Sequence, residues 1–295
     1  MFITKKDNKK HSNFWADAFK RLRKNKVANI SFYFLVILTL LSIFLPFISR
    51  YDYKEMNLDF QYNFWNWESL KKGFFLGTDE FGRDILTRIC YGGRISLLIA
   101  FTTVIIDGIL GVLYGAIAGY FGGKIDTIML RIMEIIAGIP NLIYVILLMV
   151  LMGPSILSII TAMSISRWMT MAIIVRGEVI KMKEQEFVLA SRTLGASAPW
   201  ILFKHILPNI LGQIIVRLTF GIPIAIFYEA FLSFMGIGVP LPQASWGRMV
   251  SEGFRQVHIA PHVFIIPSIF ISLTILAFNL LGDVLRDVLD PKLRR

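Results

Sequence analysis

Five ionisable residues of this 295-residue chain lie inside or at the edge of long apolar stretches, where charge is costly. They are Asp107, Glu134, Arg167, Arg217 and Glu229. A lone charge at the centre of a bilayer costs at least ~2.5 kcal/mol, so these groups must face protein or water. Arg167 or Arg217 can meet an anionic group of a solute, and Asp107 or Glu229 a cationic one. Together with Trp168 they are candidate lining residues of a translocation path; the alternative is ion pairing between helices.

The sequence lacks the patterns of a catalytic or cofactor-binding protein. No nucleophile and base and no cluster of metal ligands stands in or beside the apolar stretches, so we predict no catalytic residue, no metal site and no enzymatic activity. His258 and His262 have helical spacing but lack a third ligand, and the simpler interpretation is that they flank Pro261 at a membrane interface. No Gly-x-x-x-x-Gly-Lys-Ser/Thr motif is present to hold nucleotide phosphates, so we expect no cofactor bound by this chain.

Between residues 184 and 209 the sequence predicts a helical hairpin. Residues 184–194 are good helix formers with acidic residues in the first turn, and Gly195 can take the left-handed conformation that ends a helix. Ser197 can cap a second helix, whose first turn accommodates Pro199. Pro208 is expected to disturb that helix where the chain enters the membrane.

The first arm of the hairpin carries an apolar stripe. Phe187, Ala190 and Leu194 recur at helical spacing on one face. An apolar face in water needs a cover. The residues alone leave two covers open, a partner protein or the chain's own helix ends.

The elements that must position these residues are membrane helices. Hydrophobic residues make up 55% of the chain and charged residues 17%, and the apolar residues form blocks long enough to cross a bilayer, which takes ~20 residues of helix. We therefore predict an all-α, polytopic integral membrane protein with six transmembrane helices. Their predicted ranges are 28–48, 95–119, 131–152, 155–176, 209–234 and 259–282.

The second predicted span carries a face of small residues. Gly111, Gly115 and Gly119 recur at every fourth position. Such a face lets another helix approach closely. We interpret it as a packing surface.

The basic residues indicate the orientation of the chain. Lys and Arg number 20 in the segments that lie inside if the amino terminus is cytoplasmic, and 9 in those that lie outside. Because cytoplasmic loops are enriched in Lys and Arg, both termini are predicted to be cytoplasmic. We interpret the net charge of +11 as this topological signal, with a lipid membrane and no nucleic acid as partner. The chain then divides into a segment at 1–26 and a transmembrane domain at 27–295, with a cytoplasmic loop at 177–208.

The amino-terminal segment 1–26 has amphipathic character. Phe14, Trp15, Ala18, Phe19 and Leu22 recur at helical spacing among Lys and Arg residues. This favours a helix lying on the anionic inner leaflet. The alternative is a disordered basic tail.

The hairpin sequence resembles the EAA loop of ABC importer permeases, in which Glu-Ala-Ala is followed by three residues, Gly, nine residues and Ile-x-Leu-Pro. The residues at matching positions are Ala190, Gly195, Leu207 and Pro208. The departures from the pattern are Leu189, Ser191 and His205. The resemblance implies that the loop couples the chain to an ATPase. The implied coupling residues are Glu186, Phe187, Ala190, Ser191, Arg192, Thr193, Leu194, Gly195, Ala196, Ser197, Leu207 and Pro208.

Stretches near both ends of the chain extend the resemblance to the C-type permease subunit of bacterial oligopeptide, dipeptide and nickel importers. They are Leu76–Asp84 with Arg94–Leu97, and Gly282–Pro291. The resemblance implies the type I ABC importer permease fold, a place in the bacterial plasma (inner) membrane, and uptake of di- and oligopeptides by alternating access. It also implies a second related permease subunit in a heterodimer, two cytoplasmic ABC ATPase subunits that use ATP and Mg, and an extracytoplasmic solute-binding protein.

Two alternatives remain open. A nickel-importer permease belongs to the same family. An ion-coupled secondary transporter is a different class, for which Asp107 and Glu134 are the candidate coupling acids. The sequence leaves the cargo open, because selectivity in such importers is expected to rest mostly with the binding protein.

Overall fold

The computed structural model describes residues 14–64 and 66–289. Within these ranges every regular element is helical, apart from one isolated β-bridge between Thr78 and Asp84. The α-helices in these ranges are α1 (Phe14–Lys24), α2 (Lys26–Ile48), α3 (Trp67–Lys72), α4 (Ile85–Phe121), α5 (Gly123–Ala137), α6 (Asn141–Met152), α7 (Ile156–Met182), α8 (Glu186–Thr193), α9 (Ala198–Ile201), α10 (Leu207–Phe234), α11 (Trp246–Arg255) and α12 (Pro261–Leu289). The predicted all-α class is confirmed. Residues 1–13 of the amino-terminal segment and Asp290–Pro291 of the carboxyl-terminal stretch lie outside the described residues.

Five helices among the described residues are long and apolar enough to cross a membrane. They are α2, α4, α7, the continuous run Ala198–Phe234, and α12. A sixth span is present if α5 and α6, which are bent by 75° at a short break, count as one. The structure thus agrees with a polytopic protein of six spans.

The predicted third span, a single helix at 131–152, is wrong in shape. The chain there forms α5 and α6, and α5 begins at Gly123. Gly138 ends α5 and Pro140 precedes α6. Proline lacks a backbone N–H and disfavours the helical conformation of the residue before it, so the helix breaks at Ile139.

Three other helices extend beyond their predicted ends. Helix α4 begins at Ile85 and not at 95, because Asp84 Oδ2 accepts a hydrogen bond from Thr87 N at 2.8 Å and caps the helix there. Helix α7 reaches Met182 and not 176, and α12 reaches Leu289 and not 282. Charged residues in these last turns end the apolar block but are compatible with helix.

The core of the bundle lies where α4, α7 and α10 meet. Its fully buried side chains include Ile99 and Ala100 of α4, Ile159 and Met163 of α7, and Ile226 of α10. Helix α4 therefore has neighbours on several sides.

Glycines let α4 approach α7 closely, as the spacing of Gly111, Gly115 and Gly119 predicts. A Cβ atom on Gly115 would lie 2.3 Å from Ala172 O, and one on Gly111 would lie 2.5 Å from Met171 Cβ. Both distances are shorter than any tolerated non-bonded contact. The two helices therefore pack at a separation that only glycine permits.

Helix α1 confirms the predicted helical character of residues 14–24. Ala18 is buried, whereas Phe19 is 66% exposed. Asn25 then accepts hydrogen bonds from Val27 N and Ala28 N and caps α2. The position of α1 on the membrane surface stays a prediction.

One end of the bundle carries the loop 184–206, and the opposite end is closed by the segment 50–84 with α11. Trp246 of α11 is fully buried there. Beside it, Arg83 and Arg88 pair with Asp79 at 2.7 and 3.2 Å, and Arg88 pairs with Glu252 at 2.7 Å. Asp79 and both arginines are nearly inaccessible. This ion cluster fastens segment 50–84 to α4 and α11.

Candidate coupling hairpin and mid-span cavity

Residues 186–206 form a hairpin whose turn has the predicted geometry. The first arm is α8, and Gly195 beyond it has a φ of +83°. A left-handed residue at this point ends the helix. Ser197 precedes α9 in extended conformation, and Pro199 occupies the first turn of α9. The prediction that the Ser197 side chain caps this helix is wrong, since it accepts no capping hydrogen bond.

The second arm continues into α10 without a break, and the disturbance predicted at Pro208 takes the form of a wider helical turn just before it. Between α9 and α10, Leu202–Ile206 form a wide π-helical turn, and Pro208 lies in the first turn of α10. Leu207 N donates to Leu202 O, five residues back. Because proline lacks an N–H and crowds the preceding turn, the wider turn accommodates Pro208 within a continuous helix.

The inner side of the hairpin is fixed to the membrane helices. Val188 of α8, with Ile201 and Ile206 of the second arm, belongs to a buried cluster that includes Val179 of α7 and Ile210 of α10. Both arms therefore pack against the ends of spans. This contact makes the hairpin and the ends of α7 and α10 one packed unit.

The outer side of the hairpin is apolar and uncovered. Phe187 is 43% exposed and Leu194 87% exposed, and Ala190 between them is exposed as well. The predicted stripe thus faces outward. Within the described residues, the chain's own helix ends do not bury it.

Ser191 and His205, two residues that differ from the EAA pattern, contact each other across the hairpin. Ser191 Oγ and His205 Nε2 share a hydrogen bond of 3.1 Å. The rings of Phe187 and Trp200 approach the His205 ring edge-on, with centroids 6.0 and 4.7 Å away. These contacts join the two arms. The remaining predicted coupling residues are exposed (Glu186, Arg192, Thr193) or half-buried (Ala196, Leu207).

A cavity of ≈ 290 Å³ lies at mid-depth between α4, α7 and α10. Asp107, Arg167 and Arg217 line it. Arg167 Nε donates to Asp107 Oδ2 at 2.9 Å, and Arg167 Nη2 donates to Gly221 O at 3.1 Å. The sequence left two interpretations open, ion pairing between helices and lining of a path. Asp107 and Arg167 are paired with each other and also line a cavity.

Arg217 differs from Arg167 in having no such partner. It is half-buried and makes no hydrogen bond or ion pair with residues 14–64 or 66–289. Sequence reasoning missed other polar lining residues, among them Asn141, Ser166 and Tyr228. Sequence patterns do not single these residues out, because uncharged polar residues are common in membrane helices.

The structure places Trp168 and Glu229 away from this cavity. Trp168 packs against Tyr114 of α4, at a ring distance of 4.7 Å. Glu229 is fully buried and accepts hydrogen bonds from Ser96 Oγ at 2.9 Å and from Ser245 Oγ at 2.7 Å. Glu229 thus ties α4 and the start of α11 to α10.

The histidine pair considered as a metal site is not assembled as one. His262 is buried and shares a hydrogen bond of 3.1 Å with Thr78 O. The described part of the chain contains no group of three or more His, Cys, Asp or Glu residues that could hold a metal ion. His262 packs segment 50–84 against α12.

Comparisons with known proteins decide the family. The model of binding-protein-dependent transport system inner membrane components matches residues 111–295. The oligopeptide transport system permease protein OppC of Bacillus subtilis (strain 168) is 46% identical over 293 residues, which cover 98% of this chain and 93% of the relative. The chain belongs to this family of inner membrane transport components. The permease also matches, at residues 13–66, the model of the N-terminal transmembrane domain of oligopeptide transport permease C.

Further matches agree with this assignment. The permease is 46% identical to the dipeptide transport system permease protein DppC of Bacillus subtilis (strain 168), over 96% of this chain and 87% of the relative. In fold it resembles a chain of the MetNI methionine ABC transporter in an inward facing conformation, with a TM-score of 0.55 and 18% identity over 67% of this chain and 94% of that chain. The predicted type I ABC importer permease fold is confirmed. The permease is a membrane transport subunit and not an enzyme.

Proposed function

We propose that this permease belongs to an ATP-driven importer of dipeptides and oligopeptides. Its matches over nearly the whole chain are named oligopeptide and dipeptide permeases, which supports a peptide cargo. It works in a heterodimer with a second related permease, with two cytoplasmic ABC ATPase subunits that use ATP and Mg, and with an extracytoplasmic solute-binding protein. It spans the bacterial plasma membrane with both termini in the cytoplasm.

The observation that carries the proposal is the uncovered apolar stripe on a firmly seated hairpin. Leu194 at the tip is 87% exposed, whereas Val188 on the inner side is buried against the ends of spans. An exposed apolar surface of this kind is stabilised by burial against another protein. The ATPase is that protein in our proposal.

The hairpin then acts as a rigid lever. ATP binding brings the two ATPases together and moves the tips, and the packed unit of hairpin, α7 and α10 transmits this movement to the spans. The spans switch between inward-open and outward-open states. Nucleotide can drive this exchange only if it binds the two states with different affinity, since equal affinity shifts nothing.

Cargo passes the mid-span cavity in the same proposal. Asp107, Arg167 and Arg217 line that cavity and are the residues we assign to the path. Trp168 and Glu229 act in helix packing around it.

Replacing Gly195 by Val tests the lever. A Cβ atom at Gly195 would meet nothing within 4 Å, so the substitution acts only through the backbone φ of +83°. A positive φ costs roughly 1–2 kcal/mol for most residues and more for β-branched ones. We expect Gly195→Val to remain in the membrane but to lose co-purification with the ATPase subunits and ATP-dependent peptide uptake.

Gly153→Val is the matched control. Gly153 has a φ of +76° and equally open surroundings, but it lies in the turn before α7 at the other end of the bundle. This variant should still co-purify with the ATPases. Normal peptide uptake by Gly195→Val would contradict the lever, and solute pumping by the purified permease alone on an ion gradient would contradict the proposed function.

A further inference from the structure

The mid-span cavity contains one cation without a counter-charge. Arg167 is held by Asp107 and by Gly221 O. Arg217, on the cavity wall formed by α10, has no ion pair in the described structure. The charged groups of the lining therefore carry one positive charge in excess. A guanidinium at this depth is stable only where water or an anion meets it.

The ligand that fits this charge is a carboxylate. The planar fork of arginine pairs with carboxylates through two parallel hydrogen bonds. Every linear peptide with an unmodified C-terminus ends in one carboxylate whatever its side chains are, so a fixed cation is compatible with varied peptide sequences. A volume of ≈ 290 Å³ is at the small end for ligand sites, which span about 300–1,000 Å³, and suits one terminal residue better than a whole peptide.

We propose that Arg217 binds the C-terminal carboxylate of the peptide cargo during its passage, and that Asp107 keeps this site weak by occupying Arg167. A site on a transport path must be strong enough to attract its ligand and weak enough to release it. Two free arginines would hold a carboxylate far more tightly than one. The inference rests on the proposed function, because it requires a peptide cargo.

The test uses the complete importer with its partner subunits in proteoliposomes, supplied with ATP. Uptake of one tripeptide is measured in two forms, with a free C-terminal carboxylate and with a C-terminal amide. For each form, kcat/KM of a variant is divided by that of the wild-type importer. This ratio cancels any preference of the binding protein, which is the same in both measurements.

Arg217→Gln should lower kcat/KM for the free-acid peptide about tenfold, the effect expected for losing a hydrogen bond to a charged group. The ratio for the amide should stay near one. Arg217→Lys, which keeps the charge but loses the fork, should fall between the wild-type permease and Arg217→Gln for the free acid. Asp107→Asn should lower both KM and kcat for the free acid, because Arg167 is then released to hold the carboxylate.

Three results would overturn the assignment. An equal loss for both peptides would mean that Arg217 supports the fold, which a lowered unfolding temperature of Arg217→Gln would corroborate. Unchanged uptake of both peptides would mean that the carboxylate does not meet Arg217. Failure of the wild-type importer to take up either peptide with ATP would overturn the proposed function, and this site with it.

Discussion

The contact between α4 and α7 yields a prediction with a calculable size. In Gly115→Ala the new Cβ atom would lie 2.3 Å from the backbone oxygen of Ala172. Carbon and carbonyl oxygen normally approach no closer than about 3.3 Å, so the helices must separate by roughly 1 Å. The obstructing oxygen belongs to the backbone, so no side-chain rotation can move it aside.

Overpacking of this kind costs about 1–3 kcal/mol, and we expect the upper part of that range at Gly115. For a chain of this size, 1 kcal/mol shifts the unfolding temperature by about 2–4 °C. With about 2–3 kcal/mol lost, Gly115→Ala should therefore unfold roughly 4–12 °C below the wild-type permease. The measurement is thermal unfolding of the purified subunit in detergent.

Gly177→Ala is the matched control on the partner helix. Its new Cβ atom would meet nothing within 4 Å. Alanine is favoured over glycine in a helix by roughly 0.5–1 kcal/mol, so this variant should unfold at the same or a slightly higher temperature. If Gly115→Ala were as stable as Gly177→Ala, the close approach of α4 and α7 would be refuted.

Two further predictions concern the end of the bundle closed by segment 50–84. Asp79→Ala removes one of the two ion-pair partners of the nearly inaccessible Arg88, so it should lower the free energy of unfolding by about 3–5 kcal/mol. The control Glu134→Ala breaks an exposed pair and should lower it by at most about 1 kcal/mol. Chemical unfolding in detergent measures both free energies. Burial raises the pKa of Asp84, although hydrogen bonds from Thr87 oppose this shift. The folded state therefore favours the protonated carboxyl, and the free energy of unfolding should fall as the pH rises above about 4. Asp84→Asn keeps the capping oxygen and should reduce this loss of stability with pH, while Asp84→Ala should lose about 0.5–2 kcal/mol of capping; a common pH dependence in all three proteins would contradict the burial of this charge.

Local patterns in the sequence were sufficient to predict the spans and the turn of the hairpin. An apolar block long enough to cross a bilayer needs no tertiary information, and Gly195 takes a conformation that follows from its missing Cβ atom. The break between α5 and α6 was also visible as Gly138 and Pro140. It was missed because the hydropathy of the block continues across it.

Contacts between distant segments could not be predicted in the same way. Arg167 and Asp107 are 60 residues apart, so no periodicity relates them. The same holds for Glu229 and Ser96, which are 133 residues apart. An ionisable residue in an apolar stretch indicates that a partner exists, but only the packing of α4, α7 and α10 determines which residue it is.

The unbroken run Ala198–Phe234 has a geometric consequence. Its 37 residues make a rod about 55 Å long at 1.5 Å per residue. A tilt of about 10° about one end of such a rod displaces the other end by roughly 10 Å, which is the diameter of a helix. In the proposed mechanism, the passage would therefore open and close through a small tilt of this rod, and most of the protein would keep its packing.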